Sequence, residues 1–378
     1  MKKIFSLKIN ESRIYGLDVL RAFAIIFVVL VHSDTILPEW FFSKIYYFIL
    51  DGVSIFFVLS GFLIGGILIK AFEKKPLHRQ MLFVFWIRRW FRTLPNYFLI
   101  LTVLLFLKTW YNDSFNPYDY LNYYIFSQNL FYSHPSFFPE AWSLSVEEWF
   151  YLLTPILIFY FLKLSKLKVK QVVVIVIILL IIISTLIRYL KFSELTITNF
   201  KEFDFLIRKQ VVTRLDSLMY GVFGAYLYYY YRAFWYKYKI VLFGLGMSIF
   251  IFLKIGVFSV GGYSVFYSVF SLTIVSIATL FLLPFLSSIK NGKGIIFKCL
   301  TFVSLISYSM YLVHLSIVQG WILGRLNLSY LGLSWKVYLL LKYFLYWFFT
   351  ISISFILYKY FEIPIMNLRD RVKSKQVD

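Results

Sequence analysis

Long apolar runs alternate with short basic stretches along almost the whole chain. A helix needs about 20 mostly apolar residues to cross the hydrocarbon core of a bilayer. Such runs occur ten times, at 16–36, 46–69, 93–110, 144–162, 171–187, 211–230, 240–258, 264–286, 299–321 and 337–359. The pattern predicts an all-α fold, a polytopic membrane bundle of about ten transmembrane helices. The stretch 121–133 is shorter, aromatic and flecked with polar residues, which predicts a re-entrant or interfacial segment instead of an eleventh span. The organisation that follows is a segment 1–15, a transmembrane domain 16–364 and a basic tail 365–378. No internal repeat of the kind found in many secondary transporters is visible.

Composition agrees with the pattern. Of the 378 residues 61% are hydrophobic and 22% aromatic, while only 15% are charged; soluble domains carry roughly 25% charged residues. The net charge of +21 could suggest nucleic acid, but the Lys and Arg residues sit in short loops between apolar spans, which excludes that reading. Their distribution sets the orientation. With the N-terminus in the cytoplasm, 25 of the 39 Lys and Arg residues face that side and 10 face the other. Both termini are then cytoplasmic, as an even number of spans requires. The single cysteine, Cys299, rules out an intramolecular disulfide and a thiolate metal cluster, so no metal is expected. The first apolar run is too long and too polar at its start for a cleaved signal.

A charged residue inside a span is costly and is by default a functional candidate. The first span carries Asp18, Arg21 and His32. Arg21 and His32 are eleven residues apart, three helical turns or ~16 Å of rise on one face. Asp18 lies one turn from Arg21, and the two can simply pair. The basic loop 70–92 ends in Arg88-Arg89-Trp90-Phe91-Arg92, where Arg89 and Arg92 are one turn apart and can grip a phosphate from two sides. Such clusters also serve as topology signals or headgroup sites. In Trp142-Ser143-Leu144-Ser145-Val146-Glu147-Glu148 the spacing Ser145-x-x-Glu148 is that of a capping box. Glu147 instead shares a stripe with Ser143, Tyr151 and Thr154 and is the carboxylate expected to face a polar interior. Arg214 and Asp216 open the sixth span and could form an interfacial ion pair, while Ser307, Tyr311 and His314 share one face of the ninth. Small residues in Ser60-Gly61-Phe62-Leu63-Ile64-Gly65-Gly66 allow close helix packing. His134 is a loop residue without an assigned partner. These positions predict His32, Glu147, Arg214, Asp216 and His314 gathered in the outer half of the bundle, with Arg21, Arg89 and Arg92 at the inner end.

Seven segments resemble, in order, the motifs of the acyltransferase-3 family of membrane O-acyltransferases, which modify cell-surface glycans. They are Gly16-Leu17-Asp18-Val19-Leu20-Arg21-Ala22 with His32, Ile55-Phe56-Phe57-Val58-Leu59-Ser60-Gly61-Phe62-Leu63-Ile64, Arg88-Arg89-Trp90-Phe91-Arg92, Trp142 to Tyr151, Arg214-Leu215-Asp216-Ser217-Leu218, Tyr308 to His314, and Phe361-Glu362-Ile363-Pro364. The resemblance implies ten core helices and an acyl-CoA co-substrate, usually acetyl-CoA, on the cytoplasmic side. It places functional weight on Arg21 and His32 and on the Arg-x-x-Arg of Arg89 and Arg92. Ser54 and Trp149 depart from the family's usual residues, which bears on the choice of acceptor. Many members carry a further extracytoplasmic esterase-like domain; with the chain ending at Asp378, the resemblance is to the form without it.

The expected site is therefore His32, Glu147 and Arg21 as catalytic groups, with Glu147 orienting or charge-stabilising His32. Arg88, Arg89 and Arg92 would bind the cofactor, and Trp142, Arg214, Asp216, Tyr311 and His314 the acceptor. The acceptor would be a cell-surface glycan or glycolipid, with membrane lipid as the surroundings, a bacterial inner membrane as the location, and a homo-oligomer as one open arrangement. Direct transfer and an acyl-histidine intermediate both remain open. The rival reading is a transporter or exporter of a lipid-linked glycan, whose path the same charges would line.

Overall fold

The computed structural model describes residues 13–74, 77–255, 264–327 and 329–374. The chain forms α1 (Tyr15–Val31), α2 (Glu39–Tyr46), α3 (Gly52–Glu73), α4 (Gln80–Tyr111), α5 (Ala141–Leu164), α6 (Val169–Glu194), α7 (Phe200–Phe203), α8 (Leu215–Tyr230), α9 (Arg232–Lys237), α10 (Lys239–Lys254), α11 (Ser271–Leu286), α12 (Gly294–Val313), α13 (Trp335–Leu357) and α14 (Ile363–Ser374). No strand occurs among the described residues. Each predicted span has a helix at its place. Seven helical segments are long and apolar enough to cross a bilayer; α1, α8 and α10 run 17, 16 and 16 residues. The end of the seventh predicted span, 256–258, lies outside the described residues.

The apolar surface left over explains why the bundle belongs in lipid. In α6, only 39% of the most apolar stretch is buried inside the protein. Ile178, Ile182 and Leu186 are each more than half exposed, which in water would be an aggregation surface and in hydrocarbon is the expected face. The protein is a multi-pass integral membrane protein.

At the centre, α3 crosses α8 at backbone contact. A Cβ on Gly61 would stand 2.0 Å from the Leu218 carbonyl oxygen, and one on Gly221 would stand 2.1 Å from that of Val58. Only glycine admits this approach, the membrane-helix form of small-residue packing. The predicted stripe is thus partly right: Gly61 and Gly65 pack, whereas Gly66 faces open space. Ser60 turns to the other side and bonds the Tyr151 hydroxyl at 2.8 Å.

Three polar arrangements differ from expectation. α5 begins at Ala141, so Ser145 lies in its second turn, where its own amide is already in the ladder. Its hydroxyl donates to the Ala141 carbonyl, and Glu148 accepts from the Thr93 hydroxyl at 2.8 Å, so no capping box forms. α6 continues past its predicted end at 187 to Glu194, which carries Arg188 from a loop into the interior. Asp18 pairs with Arg13 and with Ser304, not with Arg21. The stretch 121–133 does fold without a further span: a 3-10 turn, Pro117–Ile125, buries Tyr123 and leads into a segment whose Gln128, Asn129 and His134 are buried. His134 finds its partner locally, Nε2 donating to the Phe138 carbonyl at 2.9 Å.

Candidate active site

Two cavities enter the bundle. The first, of about 130 Å³, is bounded by Arg21 of α1, Arg89 and Arg92 of α4, and Glu147 of α5, with Ser60, Ser143 and Tyr151 among its hydroxyl groups. The spacing of Arg89 and Arg92, one turn apart in the long helix α4, turns both towards it. Arg21 and Arg92 form no hydrogen bond or ion pair among the described residues. Three guanidinium groups around one carboxylate leave an excess of positive charge, and forked N–H donors of this kind suit phosphate oxygens.

The second cavity is larger, about 980 Å³, and its wall includes His32, His314, Glu140, Trp142, Asp204 and Arg208. His32 caps the end of α1 and His314 stands where α12 passes into a π-helical turn, His314–Leu323. Their hydrogen bonds settle the neutral tautomers. His314 Nδ1 lies 2.8 Å from the Tyr311 carbonyl and 3.2 Å from that of Met310. Carbonyls only accept, so Nδ1 carries the proton and Nε2 is left with a lone pair. That Nε2 is 3.1 Å from His32 Nδ1, which also faces the Val28 carbonyl at 2.8 Å. His32 Nδ1 must therefore be the donor. Its Nε2 is then the unprotonated nitrogen, a base on a ring that lines the cavity.

Around this base the charges are largely matched. Arg208 pairs with Asp51 at 3.2 Å and with Asp204 at 2.7 Å, and Lys209 with Asp204 at 2.5 Å. The Arg208 guanidinium lies over the Trp142 ring, 5.2 Å from its centroid, and Phe57 meets that ring edge-on. A flat aromatic wall with neutralised charged groups suits a neutral polyhydroxyl ligand.

Tyr311 and Val53 line both cavities and form the septum between them. The Tyr311 hydroxyl accepts from Ser143 at 2.6 Å and donates to the Glu140 backbone carbonyl at 3.1 Å. The stripe Ser307, Tyr311, His314 thus runs from the arginine cavity, through the septum, to the histidine pair.

The structure brings Arg21, Arg89, Arg92 and Glu147 together in one place, and His32, His314, Trp142 and Tyr311 in the other. Four expectations need correction. Glu147 lines the arginine cavity and not the histidine one, and its oxygen accepts from Tyr151 at 3.3 Å. It lies about one turn inward of Ser143 on α5 and shares the cavity of Arg21, so it does not orient His32. Arg88 is exposed and lines neither cavity, because it stands about 100° around the helix from Arg89. Arg214 is fully buried beside the Phe57 ring and donates to the Ser54 hydroxyl at 2.7 Å. Asp216 pairs with Arg188 at 2.8 Å, both side chains wholly buried, so Arg214 and Asp216 form no pair with each other and touch neither cavity. The two departures from the family pattern also lie off the cavities: Ser54 bonds Asp51 and Arg214, and Trp149 donates to the Phe126 carbonyl.

Sequence reasoning missed Glu140. Its buried carboxylate accepts the Ser316 amide at 2.6 Å and the Ser316 hydroxyl. Burial pushes this carboxyl up to about 7, and the bonds from Ser316 work against that rise. The only signal in the chain is its place after Phe138-Pro139, two residues before the tryptophan that starts the segment Trp142 to Tyr151.

Comparison with known proteins places the chain in a family. Residues 14–359 match the acyltransferase-3 family, described as an acyltransferase domain. The chain is 33% identical over 171 residues to the peptidoglycan O-acetyltransferase OatA of Listeria monocytogenes, which covers 42% of this chain and 26% of that protein. It is 34% identical over 160 residues to the O-acetyltransferase OatA of Staphylococcus aureus, covering 39% and 25%. The chain thus spans about a quarter of the length of these curated relatives. No solved structure matches it.

Proposed function

Because this chain belongs to the acyltransferase-3 family, we propose that it is a membrane O-acetyltransferase carrying an acetyl group from acetyl-CoA to a hydroxyl of a cell-wall glycan. The observation that carries the reading is the pair of cavities meeting at Tyr311 and Val53, cationic on one side and basic on the other. The naming of the relatives as O-acetyltransferases, one of them of peptidoglycan, supports the choice of acyl group and acceptor.

In this account the CoA phosphates lie against Arg89 and Arg92, at the cytoplasmic end given by the basic loops. Arg21 marks the way inward and the thioester reaches the septum. A glycan hydroxyl enters the larger cavity against Trp142. His32 Nε2 takes the hydroxyl proton as the oxygen attacks the thioester carbonyl; the C–O bond forms, the C–S bond breaks, and the proton passes to the leaving thiolate to give free CoA. The positive charge that develops on His32 is shared through its Nδ1–H with His314 Nε2 and the Val28 carbonyl. Glu147 offsets part of the cationic charge beside Arg21 and so keeps that cavity from holding the spent CoA too tightly.

The test is acetyl transfer from labelled acetyl-CoA in purified membranes. His32→Ala should lose more than about a thousandfold in kcat while still binding CoA. Arg89→Ala and Arg92→Ala should raise KM for acetyl-CoA, and Arg88→Ala should behave as wild type. Retained transfer by His32→Ala would sink the assignment. Substrate export without acetyl-CoA consumption would favour a transporter.

A further inference from the structure

Glu140 stands in the wall of the histidine cavity without touching the histidine pair, and it joins the septum to the turn that carries His314. Its side chain is 3% exposed and reaches across from the start of α5 to the turn after α12. There it accepts the Ser316 amide at 2.6 Å and the Ser316 hydroxyl. In an unbroken α-helix that amide would be used on the carbonyl of Leu312, and in a regular π-turn on that of Tyr311. With the amide taken by Glu140, the Tyr311 carbonyl accepts the His314 imidazole instead, at 2.8 Å. That bond, with the one to the Met310 carbonyl at 3.2 Å, holds the His314 proton on Nδ1 and leaves Nε2 to accept from His32.

We propose that Glu140 is a positioning residue for the acyl transfer: by holding Ser316 it keeps the turn at His314 open, and so aims His314 Nε2 at the Nδ1–H of His32 as a second acceptor beside the Val28 carbonyl. The inference rests on the reading of His32 as the base. A π-turn placed at the reactive side chain is a recurrent way of aiming one residue out of a regular helix. Without an outside acceptor for the freed amide, the turn would carry an unsatisfied buried donor. Glu140 meets that need, and its own backbone carbonyl takes the Tyr311 hydroxyl of the septum. One residue therefore locks the wall between the cavities and the ring that faces one of them.

A positioning residue acts through its target, and that gives the test. Glu140→Ala, Glu140→Gln, Ser316→Ala, His314→Phe and the double variant Glu140→Ala/His314→Phe are compared in full-length protein. The probes are labelled acetyl-CoA and a peptidoglycan glycan-strand fragment, with binding of CoA alone as the check on folding. Glu140→Ala should lower kcat about tenfold with KM unchanged for both probes. Glu140→Gln, whose side-chain oxygen still accepts the Ser316 amide, should stay within about threefold of wild type. The double variant should be no worse than His314→Phe alone. Multiplying losses in the double variant, a raised KM for the glycan fragment, or wild-type kcat in Glu140→Ala would each overturn the proposal. If Glu140→Ala no longer binds CoA, Ser316→Ala decides, with the same kcat-only loss expected and wild-type kcat overturning it. Loss of activity in His32→Ala beside full activity in Glu140→Ala removes this inference alone; activity retained in His32→Ala removes both.

Discussion

Replacing His314 by Phe separates a partner of the base from the base itself. The substitution removes the Nε2 acceptor 3.1 Å from His32 Nδ1 while filling most of the volume of the ring. It does not strand the His32 proton, because the Val28 carbonyl remains 2.8 Å from the same nitrogen. What is lost is one hydrogen bond to an imidazole that becomes charged in the transition state, worth about 1.5–3 kcal/mol. That converts to about 10- to 150-fold in kcat. The ground-state complex is uncharged at this ring and the proposed acetyl-CoA site lies beyond the septum, so KM for acetyl-CoA should not move. Initial rates of labelled acetyl transfer in proteoliposomes, with acetyl-CoA varied, measure both quantities. A loss as complete as that of His32→Ala would refute the reasoning, since His314 would then itself do the chemistry. An unchanged kcat would refute it from the other side and make the paired rings incidental.

Three further outcomes follow from the packing and the charges. Arg188→Met should destabilise the protein by about 3–5 kcal/mol, because it leaves Asp216 charged in a wholly buried place; the double variant with Asp216→Asn should recover part of that loss in a detergent thermal-unfolding assay, and equal or greater damage would refute the pairing. Gly61→Val should prevent stable assembly, since even a Cβ meets the Leu218 carbonyl at 2.0 Å; normal yield and melting temperature would contradict the crossing of α3 and α8. His134, held down to about 4 by burial despite its bond to the Phe138 carbonyl, should make the protein acid-sensitive. Its Nδ1 is buried without a partner, so a second proton has nowhere to bond. A depressed pKa gives stability that is present above about 6.5 and is lost as pH falls towards 4, about 3 kcal/mol at most. His134→Gln should flatten the melting temperature over that window, and an unchanged acid slope would exclude the residue as its source.

Much of this was legible because membrane helices write their length and their interior in plain terms. The ten apolar runs located every long helix, and the eleven-residue spacing of Arg21 and His32 placed two groups on one stripe that reach different cavities. The same periodicity located Ser307, Tyr311 and His314. It did not reveal partners on other helices. Arg188 seemed to be a loop cation because the apolar run stops at Ile187, yet buried carbonyls of Thr213 and Val269 and the Asp216 carboxylate hold it inside. Sequence order alone offers Asp216 its neighbour Arg214 as a partner and gives no sign of a residue on α6. Glu147 was assigned to the wrong cavity because a stripe gives an azimuth and not a depth. Glu140 was invisible: its role depends on an amide freed by a π-turn 176 residues later in the chain, and no local pattern announces such a turn.

The central claim is that an acetyl group passes from the arginine cavity to the histidine cavity through the septum at Tyr311. Proteoliposomes of defined orientation, with labelled acetyl-CoA supplied only to the arginine side and a glycan-strand fragment trapped on the other, measure it directly. Label should accumulate on the trapped glycan with wild-type protein and not with His32→Ala. Label found only on glycan offered on the acetyl-CoA side, or transferred equally by His32→Ala, would contradict the account.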